Sequence, residues 1–166
     1  DSLSRMGFSD VRSVRGGLNA WHEAGLPMVA NGALTAEEEE RYARHLVMPS
    51  VGIEGQNLLG RSRVLVVGAG GLGSPASLYL AAAGVGVIGL VDHDTVERSN
   101  LQRQILHCEE TIGWPKVASG HRALGRLNPA VRVVPHNEKV TPKNVDTLIS
   151  GYDLVIDGSD NYATRH

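Results

Sequence analysis

The sequence predicts an α/β fold: a parallel sheet with helices on both faces, preceded by a helical N-terminal extension. Three observations predict it. From Arg63 onward, short runs of Val, Ile and Leu alternate with longer segments of helical periodicity, as parallel strands joined by helical crossovers require. The run Val64–Val67 leads directly into Gly68-x-Gly70-x-x-Gly73, the strand–turn–helix context in which a G-x-G-x-x-G pattern carries meaning. Asp92 follows Gly73 by 19 residues, at the end of the next apolar run. In a Rossmann-like sheet a carboxylate there can accept hydrogen bonds from ribose hydroxyls.

The elements are justified in chain order. Residues 1–32 form a short piece with breakers at Gly16-Gly17 and Gly25-Leu26-Pro27 and a short helix expected over Leu18–Ala24. It is too short to own a core. Asn31-Gly32 is the expected hinge, and residues 33–166 form the main domain. Thr35 and Glu38 make a capping box, with Glu37–Glu40 in the first turns where the helix dipole favours them. Tyr42, Ala43, Leu46 and Val47 form an apolar face, and Pro49 ends the helix near Met48. A second short helix is expected over Ile53–Leu59. Strands are expected at Val64–Val67, Val87–Val91, Val131–Val134 and Leu154–Ile156. Helices are expected over Gly71–Ala83, Trp114–Leu127 (with Val117, His121, Leu124 and Leu127 at helical spacing) and Pro142–Ile149.

Bulk composition narrows the function classes. With 166 residues, 42% hydrophobic and 20% charged, the chain suits one modest globular domain plus an appendage. A net charge of −2 and no dense basic patch argue against nucleic acid or an anionic membrane as partner. The longest apolar stretch, around Leu78–Val91, is interrupted and reads as helix then strand, not as a membrane span. The single cysteine, Cys108, permits no disulfide within the chain and no cysteine zinc cage. A reducing, cytoplasmic setting is expected. Cys108 is read as a small packing residue and not as a nucleophile. The chain starts at Asp1 without a methionine and stops at His166 in a loop, so a fragment of a longer protein is expected.

The glycine turn and Asp92 do not choose among NAD, FAD and ATP. The residues after Asp92 add chemistry that a dinucleotide site does not need. Asp94 is followed by Ser99-Asn100-Leu101-Gln102-Arg103-Gln104, and by Lys116 in the first turn of the next helix, where Trp114-Pro115 fixes the start. Asn100 offers a donor and an acceptor, Arg103 a planar donor fork suited to phosphate oxygens, and Lys116 a point charge with three donors. Two cations converging on a polyphosphate suit nucleotidyl transfer, although each taken singly is also an ordinary solvated side chain. After the fourth strand, Asp157, Asp160 and Asn161 sit where parallel sheets bind ligands. Asp160 with the Asn161 amide could hold Mg²⁺, and a simple turn uses the same residue types. The seven histidines make no H-x-x-x-H or H-E-x-x-H pattern.

In order, G-A-G-G-L-G (Gly68–Gly73), D-H-D-T-V (Asp92–Val96), S-N-L-Q-R-Q (Ser99–Gln104), G-W-P-K (Gly113–Lys116) and D-N (Asp160–Asn161) resemble the ThiF/MoeB-type family, bacterial relatives of ubiquitin-activating enzymes. Arg41–His45 also resembles that family's R-Y-x-R-Q, with His45 in place of glutamine. The resemblance implies an ATP-dependent adenylyltransferase. The C-terminal glycine carboxylate of a ubiquitin-like sulfur carrier protein attacks the α-phosphorus of ATP, and pyrophosphate leaves. Carried over position by position, it implies that Gly68, Gly70, Gly71 and Gly73 lie against the nucleotide and Asp92 holds the ribose. Asn100, Arg103 and Lys116 would then grip phosphates, and Asp160 would bind Mg²⁺. Arg44 would reach the triphosphate of a neighbouring subunit, so a homodimer is implied. Glu40 and Glu37, four residues before Arg44 and Arg41, offer a plain ion-paired helix as the alternative account of those arginines. Family members carry paired cysteines for zinc, absent here, so zinc is expected only in a further C-terminal part. Residues 1–29 resemble the C-terminal end of a rhodanese domain, through G-F-S-D-V-R-S-V-R-G-G-L-N-A-W-H-E-A-G-L-P (Gly7–Pro27).

Two other function classes compete with this reading. An NAD-dependent oxidoreductase accounts for Gly68–Gly73 and Asp92 but leaves Ser99–Gln104, Lys116 and Asp160 without a task. A non-catalytic dimerisation module of the same fold is disfavoured by the intact Arg103, Lys116 and Asp160. The pathway served is not written in the sequence: molybdenum cofactor, thiamine and related sulfur-transfer routes use similar enzymes.

Overall fold

The computed structural model describes residues 34–159, together with Ala20. The chain divides into two units, Asp1–Ala33 and Leu34–His166. Apart from Ala20, the expected helix over Leu18–Ala24 and the rhodanese-like remnant lie outside the described residues, as do Asp160 and Asn161.

Helix α1 (Ala36–Leu46) opens on the predicted capping box, with the Thr35 hydroxyl accepting from Glu38 N–H and the Glu38 carboxylate accepting from Thr35 N–H. Of its expected apolar face only Tyr42 is buried, and Val47, just beyond the helix, is 75% exposed. The reason is that α1 is held by polar contacts at one spot. The Tyr42 hydroxyl accepts from Asn128 Nδ2 at 2.8 Å, His45 Nδ1 lies 2.7 Å from Gln56 Oε1, and Arg41 donates to the Leu127 carbonyl. No ion pair links Glu40 to Arg44 or Glu37 to Arg41 among the described residues. Helix α2 (Gly52–Arg61) follows, and Gln56, fully buried, donates to the Ala83 carbonyl.

Four strands then form a parallel sheet in the order β3-β2-β1-β4: β1 (Arg63–Val67), β2 (Val87–Val91), β3 (Arg132–His136) and β4 (Leu154–Asp157). Between them run α3 (Gly73–Ala83), α4 (Lys116–Leu127) and α5 (Val145–Ile149). The period-2 pleat of β1 sends alternate residues to opposite faces. Val64 and Val66 join Ile88, Leu90, Ala81, Val117 and Leu124 in the main core, while Leu65 packs with Val91 and Leu148 beneath α5. Helices therefore cover both faces, as predicted. No helix among the described residues is long and apolar enough to cross a membrane.

Several boundaries differ from the sequence reading for identifiable reasons. The third strand runs to His136 through Pro135, a residue an edge strand tolerates because it donates no ladder bond. Helix α4 begins at Lys116 instead of Trp114, because Trp114 and Pro115 are drawn into a turn that pairs Thr95 with Pro115. Its buried face is Val117, Gly120 and Leu124, with His121 exposed, since Gly120 lets Leu90 and Leu106 approach the helix. Helix α5 begins at Val145: Asn144 Oδ1 instead accepts from Thr141 N–H and hydroxyl at 2.7 and 2.9 Å, closing a turn over the preceding residues. The glycine turn occupies Gly68–Leu72, so α3 starts at Gly73 and not at Gly71.

Candidate functional site

The strand order reverses beside β1, whose sequence neighbour β2 lies on one side and β4 on the other. At such a switch point the connections leave the sheet in opposite directions and open a crevice at the carboxyl ends of the strands. A cavity of 430 Å³ occupies this place, within the range of small-molecule sites. It is lined from all four strand tips: Gly68 and Gly70–Leu72 after β1, Asp92–Asp94 after β2, Glu138–Val140 after β3, and Gly158 and Ser159 after β4. Arg103, Gln104 and Lys116 complete it.

The glycine turn is compact because its parts nearly touch. A Cβ on Gly73 would lie 1.7 Å from the Gly68 carbonyl oxygen, so only glycine lets α3 start this close to β1. Asp92 holds the turn from outside: its Oδ2 accepts from Ala69 N–H and its Oδ1 from Asp94 N–H, both at 2.8 Å. Each carboxylate oxygen retains a second lone pair. The carbonyl of Ala69 accepts from Ser74 Oγ at 3.2 Å and lies 3.0 Å from His107 Nε2. Among the described residues, no protein acceptor faces the N–H of Gly70 or Gly71. With the N-terminus of the 11-residue helix α3 immediately behind them, these groups favour an anion.

The cations arrive from the long segment after β2. It is folded back on itself by bonds between Val96 N–H and the Trp114 carbonyl, Gly113 N–H and the Val96 carbonyl, and Lys116 N–H and the Asp94 carbonyl. Lys116 is thereby buried under the strand tips, 6% exposed, with Nζ 2.9 Å from Asp94 Oδ2. The hydrogen bond from Lys116 holds the Asp94 carboxyl below its ordinary value, against the opposing effect of partial burial. The lysine is therefore half of an ion pair with Asp94, a partner that the sequence does not indicate. Two of its three donors remain available. A Cβ on Gly71 would lie 3.6 Å from Arg103 Cδ; Arg103 is exposed, lines the cavity, and has Nη1 3.5 Å from the Ser99 carbonyl. Gln104 is 3% exposed, and its Oε1 finds no protein partner among the described residues.

Other predicted site residues stand elsewhere. The Asn100 carboxamide oxygen accepts from Glu97 N–H at 3.1 Å, and Ser99 donates to the Glu97 carboxylate, so both serve the short 3₁₀ turn at Arg98–Asn100. Neither they nor Leu101 and Gln102 line the cavity. Arg44 is exposed on α1 and also outside the lining. Asp157 accepts from both the N–H and the hydroxyl of Ser159. Asp92, His93 and Asp94 offer ligand atoms within 4.8 Å of one another; Asp94 is paired with Lys116, and no metal is assigned to the three. Cys108 is exposed, not packed. The sequence reading missed Glu138, Lys139, Val140 and His107. The first three follow a strand, and the carboxyl-end rule could have flagged them. Nothing local marks His107.

The chain matches the sequence profile of the ThiF family over residues 42–166. It is 51% identical over 134 residues to a protein of Mycobacterium tuberculosis described as a probable adenylyltransferase/sulfurtransferase MoeZ, covering 81% of this chain and 34% of that protein. It is 52% identical over 134 residues to the SAMP-activating enzyme E1 of Haloferax volcanii, covering 81% of this chain and 50% of that one. The chain thus spans at most half the length of these curated relatives. Among solved structures, the tRNA N6-threonylcarbamoyladenosine dehydratase TcdA of E. coli in complex with ATP is similar, with a TM-score of 0.73 and 32% identity over 78% of this chain and 53% of that one.

Proposed function

Because the chain belongs to the ThiF family, we propose that it binds ATP in the cavity at the strand tips and forms the nucleotide-binding part of an enzyme that adenylylates the C-terminal carboxylate of a ubiquitin-like sulfur carrier protein, releasing pyrophosphate. The observation that carries the reading is the meeting of Gly70, Gly71, Asp92, Arg103 and Lys116, from separate segments, around one cavity. The Gly70 and Gly71 N–H groups, which meet no acceptor among the described residues, fit a polyphosphate together with Arg103 and Lys116, and the spare lone pairs of Asp92 fit ribose hydroxyls. That TcdA, which shares this architecture, was solved in complex with ATP supports the reading.

The residues divide the work. Gly70, Gly71 and the α3 N-terminus receive phosphate oxygens, Arg103 and Lys116 hold the charge that develops as pyrophosphate departs, and Asp94 keeps Lys116 in place. The attacking carboxylate is already ionised at neutral pH, so no general base is needed and positioning with charge stabilisation suffices. Glu138, Lys139 and Val140 also line the cavity, and the base is assigned to their side of it. We assign Mg²⁺ to Asp160; the ion would neutralise phosphate oxygens. Arg44 is assigned to a partner's site in a cytoplasmic homodimer, and residues 1–32 to the end of a rhodanese-like domain.

Carrier-dependent ATP–pyrophosphate exchange tests the proposal. Arg103→Ala and Asp160→Ala are each expected to lose most of the exchange while keeping the wild-type circular dichroism spectrum. Near-wild-type exchange in both would sink it. Binding of NAD in preference to ATP would favour the oxidoreductase reading, which leaves Arg103 and Lys116 without a role.

A further inference from the structure

We infer that His107 is a positioning residue for the anion-binding turn: its buried ring draws the Ala69 carbonyl inward and so directs the Gly70 N–H outward into the cavity. The inference rests on reading that cavity as a nucleotide site. His107 is 6% exposed, with Nε2 3.0 Å from the Ala69 carbonyl oxygen and Nδ1 2.9 Å from Ser119 Oγ. A carbonyl only accepts, so Nε2 carries the proton. Nδ1 is then free to accept the Ser119 hydroxyl proton; Ser119 Oγ also lies 2.8 Å from Thr111 Oγ1, whose one proton then goes either to Ser119 or to the Cys108 carbonyl 3.0 Å away. The ring is thus oriented from α4 and from the 3₁₀ turn at Glu109–Thr111, independently of the glycine turn it holds. Burial lowers the imidazole's affinity for a second proton, and either charge state keeps Nε2–H. The charges of Lys116 and Asp92 act on the ring in opposite directions, the first lowering and the second raising its affinity for a proton.

The consequence follows from peptide geometry. The Ala69–Gly70 peptide is trans, so its C=O and N–H point in opposite directions. With the carbonyl tied to His107 and Ser74 on the buried side, the Gly70 N–H faces the cavity, where no acceptor among the described residues meets it. A half-turn of this peptide would place a carbonyl oxygen against the phosphates. Gly70 has no Cβ to resist that flip. The restraint must therefore come from the acceptors' partners, and His107 supplies the shorter of the two contacts.

The test compares wild type, His107→Leu and His107→Gln by calorimetric titration with ATP·Mg²⁺ alongside thermal melting. His107→Leu is expected to weaken binding on the order of tenfold, the worth of one oriented hydrogen bond. His107→Gln, whose Nε2–H can reach the same carbonyl, is expected to restore binding to within about threefold. A role confined to packing would lower the melting point of both variants and leave the affinity of folded His107→Leu unchanged, which would overturn the inference. If His107→Leu does not fold, Ser119→Ala removes the group that orients the ring, and unchanged affinity there would overturn it equally. A wild type that does not bind ATP would refute the nucleotide site itself and the anchor with it; binding by wild type and equal binding by the Leu variant would refute the anchor alone.

Discussion

Replacing Lys116 with methionine separates the charge from the stem that carries it. The four-carbon stem is buried at the base of α4 and the ammonium sits 2.9 Å from Asp94 Oδ2, while the Asp94 side chain is 55% exposed. Methionine keeps nearly all of the stem's packing. The lost ion pair is half in water, so the stability change is expected to stay within about 1 kcal/mol. Nucleotide binding should respond differently, because Lys116 is one of three cations lining the cavity, with Arg103 and Lys139. Charge-assisted hydrogen bonds are worth about 1.5–3 kcal/mol, or roughly a tenfold to 150-fold loss of affinity for ATP. Calorimetric titration with ATP·Mg²⁺ and, in parallel, with adenosine provides the assay, since adenosine has no phosphate for Lys116 to meet. Equal losses for both ligands, or no loss for ATP, would refute the assignment of Lys116 to the polyphosphate.

The same variant carries a pH signature. Asp94 has a depressed folded-state pKa, chiefly through the Lys116 hydrogen bond. Its contribution to stability is full above its ordinary value of 3.8 and is lost as pH falls through the lower folded value. Wild type should therefore lose its advantage over Lys116→Met in urea titrations below about pH 4, and an advantage that grows with acid would contradict the pairing. Gly73→Ala should cost at least about 3 kcal/mol, the upper end for overpacking, because the new methyl would meet the Gly68 carbonyl at 1.7 Å; a melting point within a few degrees of wild type would show that the turn can open. Tyr42→Phe should cost about 1 kcal/mol, since Asn128 loses its hydroxyl acceptor and keeps only the Ala81 carbonyl. An unchanged urea midpoint would mean that α1 is held by its other contacts.

Much of the sheet was legible because its signals are local. Val64–Val67 is uniformly apolar, the turn behind it is marked by glycines, and Thr35 with Glu38 caps α1 through contacts only three residues apart. Errors gathered where a distant partner overrode local preference. Trp114 and Pro115 have helix-start chemistry, yet pairing with Thr95 pulls them out of α4. Ala43 and Val47 have the spacing of a core face, yet α1 is fastened by Tyr42 and His45 to residues from α2 to Asn128 and leaves them in water. Within S-N-L-Q-R-Q the pattern does not tell Arg103 and Gln104, which reach the cavity, from Ser99 and Asn100, which cap their own turn.

By itself the sequence determined the alternating elements, the glycine turn and the acid at the second strand's tip, because hydrophobic period, capping and turn chemistry act over a few residues. Only the tertiary structure decided the strand order that opens the crevice, the pairing of Lys116 with Asp94 across 22 positions, and the contact of His107 with a carbonyl 38 positions away. Those depend on how the crossovers bring separate strand tips to one end of the sheet, where burial strengthens each polar contact and leaves any unmet one costly.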